Sequence, residues 1–467
     1  MELWRLSAGE LARKIAAGEV SAREAVESSL ERIEAVNGHL NAITVVLADE
    51  ARAAADAADR ADGPRGPLHG VPFTVKENID LAGTATTSGL PALAEAVAPV
   101  DAPQVERLRA AGAIPVGRTN LPDLGLRVHT DSSLRGLTRN PWHPAVTAGG
   151  SSGGEGAALA SGMSALGLGN DVGGSLRNPA HCCGIASIKP TPGRVPHATV
   201  IPPEDLGPAM QLMAVEGVMA RTVADVRLGL ECVAGMSPRD PQSVPVPLEV
   251  ERPSSRRVAV LADPPGGDTH PEIVAAVRRA ADALAGAGYD VVDAVPPDYE
   301  AALDVWGRWL FADIRAQEDL LRQVMGPDAL RFLDYVAPLY PPIDAAGLVA
   351  ALVQRRQIHR VWSEFLAEHP LILSPIWTQP PFPHSWDVES EANAAATMEL
   401  LRPVMPANLL GLPAAAVPAG TAAGLPAGVQ VMAERFQELA TLEAAEAIER
   451  ALGVATPVEP VLEGVVG

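Results

Sequence analysis

Residues 147–177 read TAGGSSGGEGAALASGMSALGLGNDVGGSLR and contain two serine clusters flanked by glycine. The first cluster spans residues 149–154, and the second spans residues 173–175. Apolar stretches at 157–159 and 165–168 separate them, which is not typical of a flexible linker. A tight turn or close backbone packing explains one such cluster. Two clusters so close together favour a functional site.

Three known glycine-rich motifs can be compared with this segment. A phosphate-binding P-loop needs Lys followed by Ser or Thr after its second glycine, but Glu155 stands there and would repel phosphate. A dinucleotide fingerprint also fails, because residues 167–169 lack a third glycine in register. The G-x-S-x-G pattern centred on Ser152 does match the nucleophile elbow of α/β-hydrolases, with His359 or His384 as downstream partners. That alternative stays open at this point.

Lys76 is a second unusual feature of the sequence. It ends the apolar run in GVPFTVKEN, residues 70–78, and only three lysines occur in the chain: Lys14, Lys76 and Lys189. A buried lysine can lose its proton, whereas arginine stays charged in proteins. A solvated lysine at a strand end is the simpler interpretation of Lys76 taken alone.

Lys76 together with the two serine clusters resembles the amidase signature family, whose members use a Ser–cis-Ser–Lys triad. The resemblance covers about residues 1–235 and 370–455, and the segment 250–365 matches little. Further matching segments are residues 107–113, 117–122, 140–142, 184, 189–191, 408–413 and 424–430. Residues 120–131 resemble members that act on 6-aminohexanoate cyclic dimer or on hydrazides. Arg118, Thr147, Ala148 and Glu155 depart from the commoner pattern without touching the triad positions.

The resemblance implies a role for each triad residue. Ser175 is the expected nucleophile, Ser151 the serine that relays its proton, and Lys76 the base. Burial would favour the neutral amine that this role of Lys76 requires. The resemblance also implies a cis peptide bond between Gly150 and Ser151.

Further site residues follow from the same resemblance. The backbone N–H groups of Val172, Gly173, Gly174 and Ser175 are expected to form the oxyanion hole. A supporting layer of Ser152, Asp171 and Arg177 is expected to hold the loops, with ordinary hydrogen bonding as the alternative. The candidate substrate contacts are Arg127, His129, Asp131, Trp306, Trp309 and Trp377, with core packing as the alternative for the tryptophans.

Composition excludes several classes of protein. The 467 residues are 47% hydrophobic, which excludes a disordered chain, and the net charge of −21 provides no basic face for nucleic acid. Three cysteines cannot form a disulfide framework, and the sequence His181-Cys182-Cys183 lacks a second ligand pair, so no metal site is expected. No signal peptide is evident, and prolines interrupt the most apolar stretch, residues 409–433. We therefore expect a cytoplasmic protein that does not bind a membrane.

Alternating strand and helix patterns predict an α/β fold with a mixed central β-sheet covered by helices on both faces. Sequences typical of a capping box begin helices at Ser7 and Ser21, and residues 42–60 and 300–368 are expected to be helical. We expect a single domain, 1–467. Its parts are N-terminal helices (about 1–60), a catalytic core (about 61–235), a variable substrate-specific region (about 250–365) and a C-terminal return to the core (about 370–455).

The resulting functional hypothesis is an amidase that hydrolyses the C–N bond of a small amide without a cofactor and that could assemble as a homodimer. One alternative is the glutamine-hydrolysing A subunit of a tRNA-dependent amidotransferase, although Val195-Pro196-His197 stands where a Ser-Arg-containing run is expected. Another alternative is a catalytically inactive binding protein on the same fold. The intact Lys76, Ser151 and Ser175 disfavour it.

Overall fold

The computed structural model describes residues 2–61 and 66–461, which form an α/β fold. In this part of the chain the strands are β1 (Ile43–Val46), β2 (Pro72–Lys76), β3 (Ile114–Thr119), β4 (Asp131–Ser132), β5 (Gly136–Leu137), β6 (Leu166–Asp171), β7 (Ala186–Lys189), β8 (Val215–Ala220), β9 (Arg257–Val260), β10 (Asp290–Asp293), β11 (Leu371–Pro375), β12 (Ala414–Ala422) and β13 (Leu425–Ala433).

The α-helices of the same residues are α1 (Ala8–Ala16), α2 (Ala22–Leu40), α3 (Ala48–Arg60), α4 (Pro103–Ala110), α5 (Gly153–Ala160), α6 (Arg177–Cys183), α7 (Pro208–Met213), α8 (Val223–Val233), α9 (Pro271–Gly286), α10 (Tyr299–Ala316), α11 (Glu318–Val324), α12 (Pro327–Val336), α13 (Ala345–Glu368), α14 (Glu391–Leu400), α15 (Met405–Leu410) and α16 (Glu438–Leu452). Short 3₁₀ turns lie at Leu3–Arg5, Pro91–Leu93, Asp123–Gly125, Ala337–Leu339 and Trp386–Val388.

Eleven of the described strands form one sheet in the order β1-β3-β2-β6-β8-β7-β12-β13-β11-β9-β10. β2 is parallel to both β3 and β6, and β9 is parallel to both β10 and β11. The pairs from β6 through β8, β7, β12 and β13 to β11 are antiparallel. The sheet is therefore mixed, as predicted.

Both faces of this sheet are buried. In β11, Leu371 and Leu373 join one apolar cluster, whereas Ile372, which points the other way, joins a second cluster. Helices α1, α8, α9 and α16 contribute to the first cluster, and α5, α10 and α13 contribute to the second. Helices on both faces were the sequence prediction, and it is confirmed.

The two predicted helix starts are also confirmed. Ser7 and Ser21 each accept a hydrogen bond from the backbone N–H of the glutamate three residues on, and that glutamate side chain accepts one from the serine N–H. These reciprocal bonds satisfy N–H groups that have no partner within the helix. They fix where α1 and α2 begin.

The expectation of one helix over residues 42–60 was wrong at its start. α2 ends at Leu40, and Asn41 follows it in the left-handed conformation. Residues Ile43–Val46 then form the edge strand β1 against β3. Ile43-Thr44-Val45-Val46 is a β-branched run, which favours a strand. The alanine-rich remainder forms α3 as expected.

The segment 300–368 is mostly helical, in four α-helices, with α12 beginning at Pro327 directly after Gly326. Just before it, β9 and β10 extend the sheet at its edge. The predicted division of 1–467 into parts stays a prediction, and it includes residues 1, 62–65 and 462–467, which lie outside the described residues.

None of the helices in residues 2–61 and 66–461 has the length and apolar character needed to span a bilayer. The candidate site lies where parallel β2 and β6 end side by side. Lys76 is the last residue of β2, and Asp171 is the last of β6. Parallel neighbouring strands present their carboxyl ends at one edge, where ligands commonly bind in α/β folds.

Candidate active site

Lys76 is completely buried at the end of β2, in which every residue is buried. Its Nζ lies 2.7 Å from Ser151 Oγ and 2.7 Å from Asn170 Oδ1. Burial lowers the pKa of Lys76 to about 7, although the charges of Glu216, Asp171 and Glu155 oppose this shift. Near neutral pH, a large fraction of this amine is therefore uncharged and able to accept a proton.

Ser151 lies between Lys76 and a cavity. The peptide bond between Gly150 and Ser151 is cis, as the sequence analysis predicted. Ser151 and Ser175 line the same cavity, and both are nearly buried. The structure thus brings the three predicted triad residues to one place at the ends of β2 and β6.

Ser152 is fully buried and is not among the residues that line the cavities beside Ser175. Its backbone N–H donates to the Ser175 carbonyl over 3.3 Å, so it connects the two serine loops. Its side chain packs under Gly169, whose Cα position leaves no room for a Cβ. This placement supports Ser151 rather than Ser152 as the first-cluster serine that acts in chemistry.

The loop from Val172 to Ser175 presents backbone donors beside the Ser175 side chain. Within the described residues, the N–H groups of Val172, Gly173 and Ser175 have no protein hydrogen-bond acceptor, and all three residues line the apolar cavity described below. The Gly174 N–H instead donates to Asp171 Oδ1 over 2.8 Å. The predicted place of Gly174 in the oxyanion hole stays a prediction, and in this structure its N–H is occupied by the Asp171 carboxylate.

Gly174 has a structural role. Its φ of +91° lies in the left-handed region, and a Cβ at this position would come within 2.3 Å of Asn178 Oδ1. Only glycine fits that conformation and that space.

Asp171 and Arg177 form a completely buried ion pair. Arg177 Nε and Nη2 each donate to the Asp171 carboxylate over 3.0 Å. Arg177 also donates to Asn408 Oδ1 over 2.6 Å and to Gln430 Oε1 over 2.7 Å. Burial opposes ionisation of Asp171, but Arg177 prevails and lowers the pKa of Asp171 to about 2. The pair holds the Val172–Ser175 loop against the C-terminal half of the chain.

Replacing Asp171 with asparagine should destabilise the fold strongly, because Arg177 would remain buried and charged without a counter-ion. We expect a loss of about 3–5 kcal/mol in the free energy of unfolding, measured with urea at pH 7. The matched control is Asp334→Asn, which removes an exposed partner of Arg322 and should destabilise the fold far less. Equal effects of the two variants would contradict the stabilising role of the buried pair.

The same pair predicts a dependence of stability on pH. The pKa of Asp171 is lower in the folded chain than the value of about 3.9 expected when unfolded. Its contribution is therefore present above about pH 4 and is lost as the pH falls toward about 2. In Asp171→Asn this part of the acid unfolding profile should disappear.

Two cavities meet at Ser175. One is apolar and is bounded by the side chains of Leu126, Trp306, Leu310, Phe311, Phe332 and Met398. The other is lined by apolar residues such as Ile201, Leu206 and Met210 and also by polar ones, namely Asn78, Ser88, Asn170, His197 and Glu216. A substrate carbonyl at Ser175 would thus lie between an apolar cavity and a cavity whose lining is mixed.

Of the predicted substrate contacts, Arg127 and Trp306 lie at the apolar cavity. Trp306 Nε1 donates to the Val172 carbonyl over 3.1 Å, which orients its ring beside the donor loop. The guanidinium of Arg127 is engaged by Asp387 through two hydrogen bonds, of 3.0 Å and 2.8 Å, and both side chains are buried. Arg127 therefore forms part of the cavity wall, and its charge is paired with Asp387.

The other four predicted contacts lie elsewhere among the described residues. Trp309 and Trp377 are fully buried in the core, and Trp377 Nε1 donates to Asn178 Oδ1 over 2.9 Å. His129 is buried with Nδ1 3.0 Å from Thr147 Oγ1, and Asp131 lies in β4. None of the four lines either cavity. The alternative of core packing holds for Trp309 and Trp377, because apolar surface on α10 and after β11 is turned inward.

Sequence reasoning missed Asn170, Asn178 and Glu216 as site residues. Asn178 Nδ2 donates to the carbonyls of Gly150 and Gly173, over 3.1 Å each, and so links the two serine loops. Asn170 could have been found from its place one residue before Asp171 in the same strand. Nothing in the sequence marks Glu216, because its position opposite Asn170 depends on the pairing of β6 with β8.

No group of three or more His, Cys, Asp or Glu side chains in residues 2–61 and 66–461 is placed to hold a metal ion. His181 Nδ1 accepts a hydrogen bond from the Gly428 N–H over 3.1 Å, and Cys182 and Cys183 are buried. These residues, which the sequence analysis considered as a metal site, lie in α6, and His181 contacts β13.

Comparison with known proteins agrees with this geometry. The profile of the Amidase family matches residues 24–442. An indoleacetamide hydrolase of Bradyrhizobium diazoefficiens is 41% identical over 97% of this chain and 87% of its own length. The A subunit of a glutamyl-tRNA(Gln) amidotransferase from a Synechococcus species is 34% identical over 94% of this chain and 95% of its own length. The sequence analysis had anticipated the latter as a relative but not the former.

Solved structures lead to the same result. A 6-aminohexanoate cyclic dimer hydrolase complexed with substrate superposes with a TM-score of 0.84 and 30% identity, covering 97% of this chain and 98% of that one. The predicted similarity to such hydrolases is confirmed, while the similarity to hydrazidases stays a prediction. The chain is an enzyme of the class that hydrolyses carbon–nitrogen bonds other than peptide bonds. From its triad geometry, its sheet and these relatives, the chain belongs to the amidase signature family.

Proposed function

We propose that this protein hydrolyses small amides through an acyl-enzyme on Ser175, with Ser151 as the proton relay and Lys76 as the base. The observation that carries the proposal is the fully buried Lys76, whose Nζ lies 2.7 Å from Ser151 Oγ. Ser151 in turn lines a cavity that it shares with Ser175. A hydroxyl is a weak nucleophile until a neighbouring group removes its proton. A neutral buried amine supplies that base.

In the acylation step, Ser175 Oγ attacks the substrate carbonyl carbon, and its proton passes to Ser151 Oγ while the Ser151 proton passes to Lys76 Nζ. The C–N bond then breaks, and the same proton returns through Ser151 to the leaving nitrogen, which departs as ammonia or an amine. In deacylation, water attacks the carbonyl carbon of the acyl-enzyme and its proton passes through Ser151 to Lys76. The bond to Ser175 Oγ then breaks, the proton returns from Lys76 through Ser151 to Ser175 Oγ, and the carboxylic acid is released. These two steps need no cofactor.

The N–H groups of Val172, Gly173 and Ser175 are the proposed oxyanion donors. They lie in the loop beside the nucleophile and lack protein acceptors in the described residues. Donors of this kind stabilise the negative charge that develops on the carbonyl oxygen, and losing one typically costs about 10²–10³ in rate. Asp171 supports this arrangement by holding the Gly174 N–H away from the cavity.

For the substrate, we propose a primary amide whose acyl group is aromatic or otherwise apolar. The cavity next to Val172, Gly173 and Ser175 is bounded largely by apolar side chains, of which Trp306, Leu310 and Phe332 come from the segment with little family resemblance. Burying an apolar acyl group there contributes about 25 cal/mol per Å² of apolar surface. Indoleacetamide, the substrate named for the 41% identical relative, fits this class and is the first compound to test.

The covalent intermediate offers a direct test. The protein is mixed with p-nitrophenyl phenylacetate, quenched in acid within seconds, and analysed by intact mass and peptide mapping. We expect one phenylacetyl group on Ser175 and a burst of p-nitrophenol equal to the enzyme concentration. Ser175→Ala should show neither, whereas Ser152→Ala should still form the adduct. An adduct on Ser152, or none in the folded wild type, would overturn the proposal.

Glutamine hydrolysis is the second candidate, because the amidotransferase relative is 34% identical over 94% of this chain. Glutamine carries two charges on its acyl side, and the apolar walls beside Ser175 disfavour them. Ammonia release from glutamine and from indoleacetamide is compared at equal concentration. We expect kcat/KM for indoleacetamide to exceed that for glutamine by at least about 10²-fold, since placing charges in an apolar pocket is costly. The reverse ratio would favour the amidotransferase role.

A further inference from the structure

His197 and Glu216 form a pair that the proposed mechanism does not use. His197 Nδ1 lies 2.7 Å from Glu216 Oε1, and both residues line the cavity that contains Ser151 and Ser175. The Glu216 side chain is only 2% exposed, whereas that of His197 is 38% exposed. Glu216 Oε2 is buried and has no protein hydrogen-bond partner among the described residues.

The sheet register places this pair next to the proposed base. Glu216 in β8 is the cross-strand partner of Asn170 in β6, so their side chains lie on the same face. Asn170 Oδ1 is in turn 2.7 Å from Lys76 Nζ. Asn170, Glu216 and His197 therefore lie together on the cavity wall, and the buried Lys76 contacts this group through Asn170.

The loop that carries His197 is held in place from both sides. The His197 backbone N–H donates to Asp240 Oδ2 over 2.9 Å, and the Val200 N–H donates to Asp80 Oδ2 over 2.7 Å. Thr199 Oγ1 donates to Asp80 Oδ1 over 3.1 Å. The imidazole is thus kept against Glu216 by the fold.

Three carboxyl groups influence the charge of Lys76: Glu216, Asp171 and Glu155. Asp171 is neutralised by Arg177. Burial raises the pKa of Glu155 to about 8 despite its hydrogen bond from Thr74, so this group is mostly uncharged at neutral pH. Of the three groups, Glu216 is therefore the carboxylate whose negative charge can act on Lys76.

The counter-ion of Glu216 is itself titratable. Burial favours neutral His197, but its hydrogen bond to Glu216 and the charges of Glu216, Asp240 and Asp80 prevail and raise the pKa of His197. The pair is neutral when His197 is protonated and carries one negative charge when it is not. The imidazole is accessible enough to exchange protons with solvent.

We propose that the Glu216–His197 pair is a positioning element that sets the basicity of Lys76 through Asn170, an inference that rests on the proposed role of Lys76 as the base. The negative carboxylate stabilises the ammonium that forms when Lys76 accepts the proton from Ser151. Protonation of His197 cancels that charge and returns Lys76 to the neutral form. The pair therefore acts on the step in which the proton is transferred.

The test is the pH dependence of kcat/KM for indoleacetamide between pH 5 and 10. Glu216→Gln removes the negative charge and should move the acid limb to lower pH by about 0.5–1 unit, as expected when a nearby carboxylate is lost. His197→Gln keeps a hydrogen-bond donor but no positive charge, so the limb should move to higher pH. In the double variant the effect of His197→Gln should vanish, because it acts through Glu216.

A charge-restoring variant and a comparison of substrates distinguish this positioning role from a role in binding substrate. Glu216→Asp should restore most of the wild-type limb, since it restores the charge. An unchanged limb in both single variants, or a change only in KM that depends on the leaving amine, would overturn the inference. If Glu216→Gln does not fold, His197→Gln tests the inference by itself, because it changes the more exposed partner of the pair. Failure of the proposed function would appear differently, as full activity in Lys76→Ala.

Discussion

Ser175→Ala should eliminate hydrolysis of indoleacetamide and of p-nitrophenyl esters. Loss of the nucleophile of a catalytic triad typically lowers kcat by about 10⁴–10⁶-fold. No other hydroxyl lies on the loop that carries the free N–H groups of Val172 and Gly173. The measurement is ammonia or p-nitrophenol release at saturating substrate, with circular dichroism to verify that the variant is folded.

Ser152→Ala is the discriminating comparison for this result. Ser152 is the centre of the G-x-S-x-G pattern, but it is fully buried and contributes its backbone N–H rather than its hydroxyl to the contact with Ser175. We expect Ser152→Ala to retain measurable activity. Inactive Ser152→Ala together with active Ser175→Ala would restore the α/β-hydrolase interpretation and contradict the proposed triad.

Lys76→Arg should be as inactive as Lys76→Ala, at least about 10³-fold below wild type, because general-base catalysis is lost in both. Arginine keeps a positive charge but cannot release its proton to become a base. At this completely buried position a guanidinium would also place a fixed charge beside Ser151. Activity of the arginine variant within tenfold of wild type would remove Lys76 from the mechanism.

The pH profile of the wild type tests the same residue. Because only the neutral amine accepts a proton and the pKa of Lys76 is about 7, kcat/KM should rise with pH through about 7 and then level off. Lys189 is the matched control, since burial lowers its pKa to about 7 as well, while its Nζ donates to the Pro190 carbonyl and lines neither cavity. Lys189→Met should keep the acid limb. Loss of the limb in Lys189→Met would show that Lys189, rather than Lys76, produces it.

Several expectations from the sequence agree with the structure because they depend on neighbours along the chain. The capping boxes at Ser7 and Ser21 are local hydrogen-bond patterns. The strand ending at Lys76 follows from a continuous apolar run, which is typical of a strand buried on both faces. The proposed homodimer, the single domain and the cytoplasmic location stay predictions.

The errors have a common cause as well. Residues 43–46 were assigned to a helix because alanine-rich sequence follows them, whereas pairing with β3 across more than 70 residues makes them a strand. Trp309 and Trp377 could not be distinguished from Trp306 by their sequence. Whether an indole lines a cavity or fills the core depends on which helix face meets the sheet.

The order of residues was sufficient to specify the mixed α/β class and the family, and to predict Lys76, Ser151 and Ser175 as the catalytic residues. These conclusions depend on short motifs that can be recognised without knowledge of their surroundings in space. The tertiary structure alone decided which groups surround them. In it, the Gly174 N–H donates to Asp171, the Arg127 guanidinium donates to Asp387, and Glu216 lies opposite Asn170 in the sheet. Each of these contacts joins residues through strand pairing or burial, and the charge and hydrogen-bonding state of a buried group depend on neighbours in space rather than along the chain.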